Sequence, residues 1–151
     1  MLTYFDSSVL LSIILDEKRS EEANKLWSNA TVRVSSILLK IEVLTVLRRT
    51  FSHNESKLEK NWLIQKIKLL DEYLQEINFR VVDEDIDKII YLKKELGKCR
   101  TLDAVHLATA MNIRTIVETD ELAVITFDRE MHNLAKVLKF KVNELNEENF
   151  I

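Results

Sequence analysis

Short apolar runs, each followed by residues that favour helix starts, alternate with longer segments of helical period from one end of the chain to the other. Residues 2–5 read as a strand, and Asp6, Ser7 and Ser8 then supply capping chemistry ahead of the apolar run 9–15. A helix is expected over 20–29, where Ala23, Leu26, Trp27 and Ala30 recur at helical spacing. A brief strand at 32–34 follows, ended by Ser35 and Ser36. The next helix, 37–51, is crowded with apolar residues until Arg48 and Arg49, which predicts burial over most of its surface. A second long helix, 57–75, carries the stripe Leu58, Trp62, Ile67, Leu70 and Leu74, with lysines on its wet side, and should pack on the first as a hairpin.

The second half repeats the theme. Residues 79–82 read as a strand and 83–96 as a helix stopped at Gly97, where a left-handed cap costs least. Thr101 is expected to cap a helix whose inner face runs through Leu102, Val105, Ala108 or Thr109, and Ile113. A strand near 122–126, a helix headed by Asp128 and an edge strand at 140–142 complete the pattern, and the Asn/Glu-rich tail 144–151 is expected to fray. Parallel neighbours need a crossover, for which a helix is the usual solution. The alternation therefore predicts an α/β fold with a parallel sheet flanked by helices, formed by residues 1–151 as one domain.

Composition narrows the chemistry. The 151 residues include one glycine and no proline, which excludes phosphate cradles built on glycine-rich loops. Cys99 is the single cysteine, so neither an intrachain disulfide nor a thiolate metal cluster is available; a reducing, cytoplasmic setting is expected. The N-terminal residues lack secretory-signal features, and no apolar run has the length of a membrane span. With 25 acidic and 22 basic side chains the net charge is −3, unlike a protein that coats nucleic acid indiscriminately, although local basic patches remain open.

The informative residues are carboxylates. In an open parallel sheet, ligands collect beyond the carboxyl ends of the strands, where the strand order reverses. Asp6 and Asp128 fall at such ends, although each would also serve as an ordinary helix N-cap. Glu42 has Leu38, Leu39, Thr45 and Val46 as its helical neighbours, so it must meet a cation, collect hydrogen bonds or take up a proton; a salt bridge to lysine or arginine is the plain alternative to a metal. Asp103 sits in the first turn of its helix, where the dipole favours a negative charge, and from the core rim it could look toward Asp6. Four such groups in one place would repel one another and raise their pKa values unless a cation intervened. An all-oxygen set selects Mg2+ or Mn2+ over zinc. Such ions activate water and neutralise charge in phosphodiester hydrolysis.

The segments Tyr4 to Ser8, Ser36 to Glu42, Thr101 to Ala110 and Ile125 to Asp128 resemble the PIN-domain ribonucleases, particularly the VapC-like toxins of type II toxin–antitoxin systems. The run Asp-Ala-Val-His-Leu-Ala-Thr-Ala from Asp103, with Asp6 and Glu42 upstream in the right order, is its most specific element, and nearly the whole chain is covered. The resemblance implies a PIN-like three-layer sandwich with five parallel strands, the first and fourth adjacent. It also implies metal-binding and catalytic roles for Asp6, Glu42, Asp103 and Asp128, with Asp6 and Asp103 on the principal ion and the other two ligating through water or completing a second site. The implied function is Mg2+- or Mn2+-dependent endoribonuclease activity, with an antitoxin partner, a homodimer and an RNA substrate. A stand-alone PIN nuclease in RNA processing and a non-catalytic binding module of the same fold are the alternatives. A receiver-type phosphoryl domain lacks its paired acids and its late lysine here.

Other residues carry weaker signals. Ser7, Ser8 and Thr126 suit either caps or contacts to a ligand water or phosphate. His106 is expected as a hydrogen-bonded core or rim residue, and His53 and His132 on the surface. Lys40, Arg48, Arg49, Lys98 and Arg100 are candidates for phosphate contacts, whereas Asp120 and Glu121 fall at the wrong end of the sheet.

Overall fold

The structure, a computed structural model, describes residues 1–145. Strand β1 (Leu2–Phe5) leads into helices α1 (Ser7–Ile14) and α2 (Ser20–Asn29). Then follow β2 (Val32–Ser36), α3 (Leu38–His53), α4 (Trp62–Leu74), β3 (Ile77–Arg80) and α5 (Glu84–Leu92). After a short 3-10 helix (Lys94–Lys98) come α6 (Thr101–Val117), β4 (Ala123–Ile125), α7 (Arg129–Val137) and β5 (Lys141–Val142). The strands form one sheet in the order β3-β2-β1-β4-β5, parallel throughout. As expected, the first and fourth strands are neighbours. The chain leaves β1 toward β2 on one side and later returns to place β4 on the other, so the reversal point lies between β1 and β4.

Alternation along the strands divides the interior into two cores. Tyr4, Val34 and Val124 face α5, α6 and α7, whereas Phe5, Ala123 and Ile125 face α1 to α4. Each sheet face is thus covered by helices, giving the three layers. Leu39, Val43 and Leu47, spaced four apart on α3, are fully buried in the second core.

Several elements depart from the sequence pattern. Helix α3 is not buried over most of its surface: the side carrying Ile41, which is 54% exposed, faces an open groove. Helix α4 begins at Trp62 rather than at 57, because residues after Asn54 close in turns; the expected hairpin forms, with the Phe51 and Trp62 rings stacked at 6.3 Å. Lys66 leaves the wet side to donate to the Ile14 carbonyl at the end of α1, at 2.8 Å. Strand β3 starts two residues early because Ile77 to Arg80 register against Arg33 to Ser36, leaving Val81 and Val82 exposed despite their β-propensity.

Helix α5 ends at Leu92, where Lys93 turns extended, and Gly97 lies in the 3-10 helix without a left-handed backbone. The left-handed cap belongs instead to Glu118, after α6. Thr101 is the first residue of α6 and Arg100 holds the cap position. His132 is buried, not superficial, with its Nε2 bonded to the Asn143 carbonyl at 2.6 Å; His53 is exposed as expected. Of the tail expected to fray, residues 146–151 lie outside the described residues.

Candidate functional site

Asp6 follows the last residue of β1 and caps α1, accepting from the Ser8 amide at 3.2 Å. The same oxygen accepts from the Ser8 hydroxyl at 2.6 Å, and the other accepts from the Thr126 hydroxyl just past β4, also at 2.6 Å. Both hydroxyls are locked in turn: Ser8 Oγ accepts from the Phe127 amide at 3.0 Å and Thr126 Oγ1 from the Asp128 amide at 3.0 Å. Asn143 then clamps the backbone of Thr126 through both its N–H and its carbonyl. The three hydroxyl-bearing residues flagged in the sequence are therefore spent on protein groups, with Ser7 donating to Glu42 Oε2 at 3.3 Å.

Asp6 is 4% exposed, and burial pushes its carboxyl up to about 6 against the opposing pull of the Ser8 and Thr126 hydrogen bonds. Glu42 adds a smaller upward push. Asp103, in the first turn of α6, is also buried; burial raises its carboxyl above the ordinary range, and Asp128 adds to the effect. Asp128 caps α7 by accepting from the Met131 amide at 2.8 Å.

Cationic and neutral donors already reach this cluster. The Arg100 guanidinium spans Asp103 (3.5 Å) and Asp128 (3.2 Å) from a largely exposed position. Glu42 Oε1 is bonded to His106 Nε2, and His106 Nδ1 lies 2.6 Å from the Tyr4 hydroxyl. The lysine or arginine partner considered for Glu42 is thus replaced by a histidine. His106 matches the core-or-rim expectation, being 1% exposed, but its partnership with Glu42 was missed. Its position three residues after Asp103, on the same helical face, was the signal that could have revealed it. Asn143 and Tyr4 had no such signal.

A groove of about 640 Å3 runs between α3 and the start of α6. Glu42 and Asp103 face each other across it, with Ser7, Arg49, Arg100 and Leu102 in its walls. Of the five basic candidates, Arg49 and Arg100 line it, while Lys40, Arg48 and Lys98 are exposed outside its lining. Glu121 pairs with Lys141 at 3.6 Å, consistent with its expected place away from the site.

A family model described as the PIN domain matches residues 3–137 of the chain. The chain belongs to the PIN domain family. PIN domains are in general nucleases that use divalent metal ions. Among solved structures, this PIN domain is similar to a chain of a "Toxin-antitoxin complex from Klebsiella pneumoniae", with a TM-score of 0.59 and 18% identity over 83% of this chain and 86% of that one. No curated protein matches it. Among the described residues no helix is long and apolar enough to cross a membrane.

The side chains fit a hard cation in kind, though not yet in spacing. Among the described residues, no three His, Cys, Asp or Glu side chains converge closely enough to hold an ion as they stand. Among the described residues, however, Asp103 Oδ2 is buried without a hydrogen-bond partner and meets only the Arg100 guanidinium, at 3.5 Å. A buried carboxylate oxygen left short of donors is costly, and a cation in the groove would satisfy it.

Proposed function

We propose that this PIN domain is a Mg2+- or Mn2+-dependent endoribonuclease that hydrolyses RNA phosphodiesters, acting as the toxin of a toxin–antitoxin pair. The observation that carries the reading is the under-coordinated, buried Asp103 oxygen in a groove shared with Glu42 and electrostatically coupled to Asp128. Asp6 and Asp103 would hold the principal ion, with Glu42 and Asp128 ligating through water or completing a second site. When bound, the ion supplies a lowered pKa for the attacking water and charge neutralisation on the phosphoryl oxygens.

The chain's own residues supply the rest. The Ser8 and Thr126 hydroxyls hold Asp6 in one rotamer, Arg49 and Arg100 offer positive charge to phosphates, and Ile41 and Leu102 give the groove exposed apolar surface. Single-stranded RNA, with splayed bases and a flexible backbone, suits an open groove better than a duplex does. The toxin assignment is supported by the fold shared with a chain of a toxin–antitoxin complex. An antitoxin covering the groove and a homodimeric toxin belong to the same proposal.

Incubation with single-stranded RNA should give cleavage that requires Mg2+ or Mn2+ and is abolished by chelation, while Asp103→Asn should reduce cleavage to background. RNA that is bound but left intact by the purified protein, at any concentration of either metal, would overturn the enzymatic reading in favour of a binding module.

A further inference from the structure

The hydrogen bonds behind Glu42 form a chain whose direction is set by its far end. The Ser36 backbone N–H can only donate, and it donates to the Tyr4 hydroxyl oxygen at 3.1 Å. With that lone pair taken, the hydroxyl can turn its own proton to His106 Nδ1, 2.6 Å away. A ring that accepts at Nδ1 carries its hydrogen on Nε2, and Nε2 faces Glu42 Oε1. Ser7 donates to the other Glu42 oxygen. Tyr4 and His106 are essentially inaccessible, and their rings meet edge to face at 5.8 Å, so neither can swing away without opening the core.

We propose that His106 is a positioning residue, held at Nδ1 by the Tyr4 hydroxyl so that Nε2–H meets Glu42, and that it fixes the rotamer of Glu42 and aims its remaining lone pairs into the groove. This rests on the reading of the groove as a metal-dependent nuclease site. The chain crosses the molecule from β2 through β1 to α6 and then to α3. It thereby ties the helix bearing Asp103 to the helix bearing Glu42 through their side chains. Groups that orient a metal-ligating side chain from behind typically change metal affinity or activity by about 10- to 100-fold when removed.

Two amide substitutions separate the two ends of the ring. In His106→Gln the amide nitrogen reaches the Nε2 position and still donates to Glu42. In His106→Asn the shorter amide reaches only the Nδ1 position, where its carbonyl oxygen accepts from Tyr4, and Glu42 loses its donor. Mn2+ affinity, measured by calorimetry on the whole protein, should fall about 10- to 100-fold in His106→Asn and be largely retained in His106→Gln. RNA cleavage should follow the same order through kcat rather than KM.

Nitrogen-15 spectra of the wild-type imidazole should show a protonated Nε2 and a bare Nδ1. Tyr4→Phe, which keeps the ring packing, should populate the second tautomer, providing a readout if an amide variant folds poorly. Equal Mn2+ affinity in the Asn and Gln variants, or a wild-type ring protonated at Nδ1, would overturn the positioning role. Protein that binds Mn2+ with the expected variant order but cuts no RNA would overturn the nuclease reading and leave the positioning role standing. Wild-type protein that binds no Mn2+ would overturn both.

Discussion

Asp6 and Asp103 are both buried carboxylates, yet their partners differ completely. Asp6 receives two hydroxyls and a backbone amide, whereas Asp103 Oδ2 has no hydrogen-bond donor among the described residues. Replacing each by asparagine should therefore separate them. Because the Ser8 and Thr126 hydroxyls also accept from backbone amides, Asp6→Asn leaves one hydroxyl proton facing an NH2 group, a mismatch that costs about 1–3 kcal/mol. Asp103→Asn removes repulsion from Asp128 at the expense of the pair with Arg100, whose solvent-exposed guanidinium limits its contribution to at most about 1 kcal/mol. Thermal melts of the metal-free variants at neutral pH should show Asp6→Asn melting below wild type and Asp103→Asn at or above it. The reverse order would mean that the hydroxyl clamp does not hold Asp6.

The same two residues set the pH response. The folded-state pKa of Asp6 is raised from 3.8 to about 6, and that of Asp103 is raised as well. In the intervening window the native state binds more protons than the unfolded chain. The stability these groups contribute is complete below the unfolded pKa and is lost as pH rises through the folded one. Denaturant midpoints of the metal-free protein should accordingly fall between about pH 4 and pH 6 at these two sites, with a slope reduced in Asp103→Asn. Midpoints that rise across this window in wild type, with no reduction in the variant, would contradict the assignment.

At the scale of elements, α3 has two separate tasks. Leu39, Val43 and Leu47 anchor it in the core, and the adjacent face presents Glu42 and Ile41 to the groove. Truncating Leu39 to alanine should cost about 2–5 kcal/mol and loosen Glu42, while Ile41→Ala should alter stability by no more than about 0.5 kcal/mol. Urea unfolding tests this contrast: a large cost at Ile41 would show that the groove face is packed. The sequence suggested a helix buried over most of its surface, because Leu38, Ile41, Leu44 and Val46 read as core from composition alone. Apolar type does not say which of two faces meets the sheet, and α4 covers only part of the remainder. Strand β3 shifted for a related reason, since pairing with β2 outweighed local propensity at Val81 and Val82.

For the whole molecule, the sheet order β3-β2-β1-β4-β5 decides where chemistry can occur. It places the ends of β1 and β4 side by side, so that the Thr126 hydroxyl reaches Asp6 although 120 positions separate the two residues. Residues drawn together against their own repulsion should gain stability from a dication. If Mg2+ binds only the folded state, a concentration 100-fold above its Kd adds about 2.7 kcal/mol, or about 5–10 °C in Tm for a chain of this size. A melt unmoved by Mg2+ in wild type, measured at neutral pH and low salt, would count against the cluster as a metal site.

The amino-acid order by itself determined the alternation of strands and helices, the parallel sheet and the identity of the acidic candidates. These depend on local period, capping chemistry and side-chain type, which are written into neighbouring residues. Only the tertiary structure decided which carboxylate oxygen is left without a donor, that Arg100 bridges Asp103 and Asp128, and that Glu42 rests on His106 and Tyr4. Those outcomes turn on contacts between residues as far apart as 64 and 102 positions, and only packing of the helices onto the two faces of the sheet brings such atoms within hydrogen-bonding range.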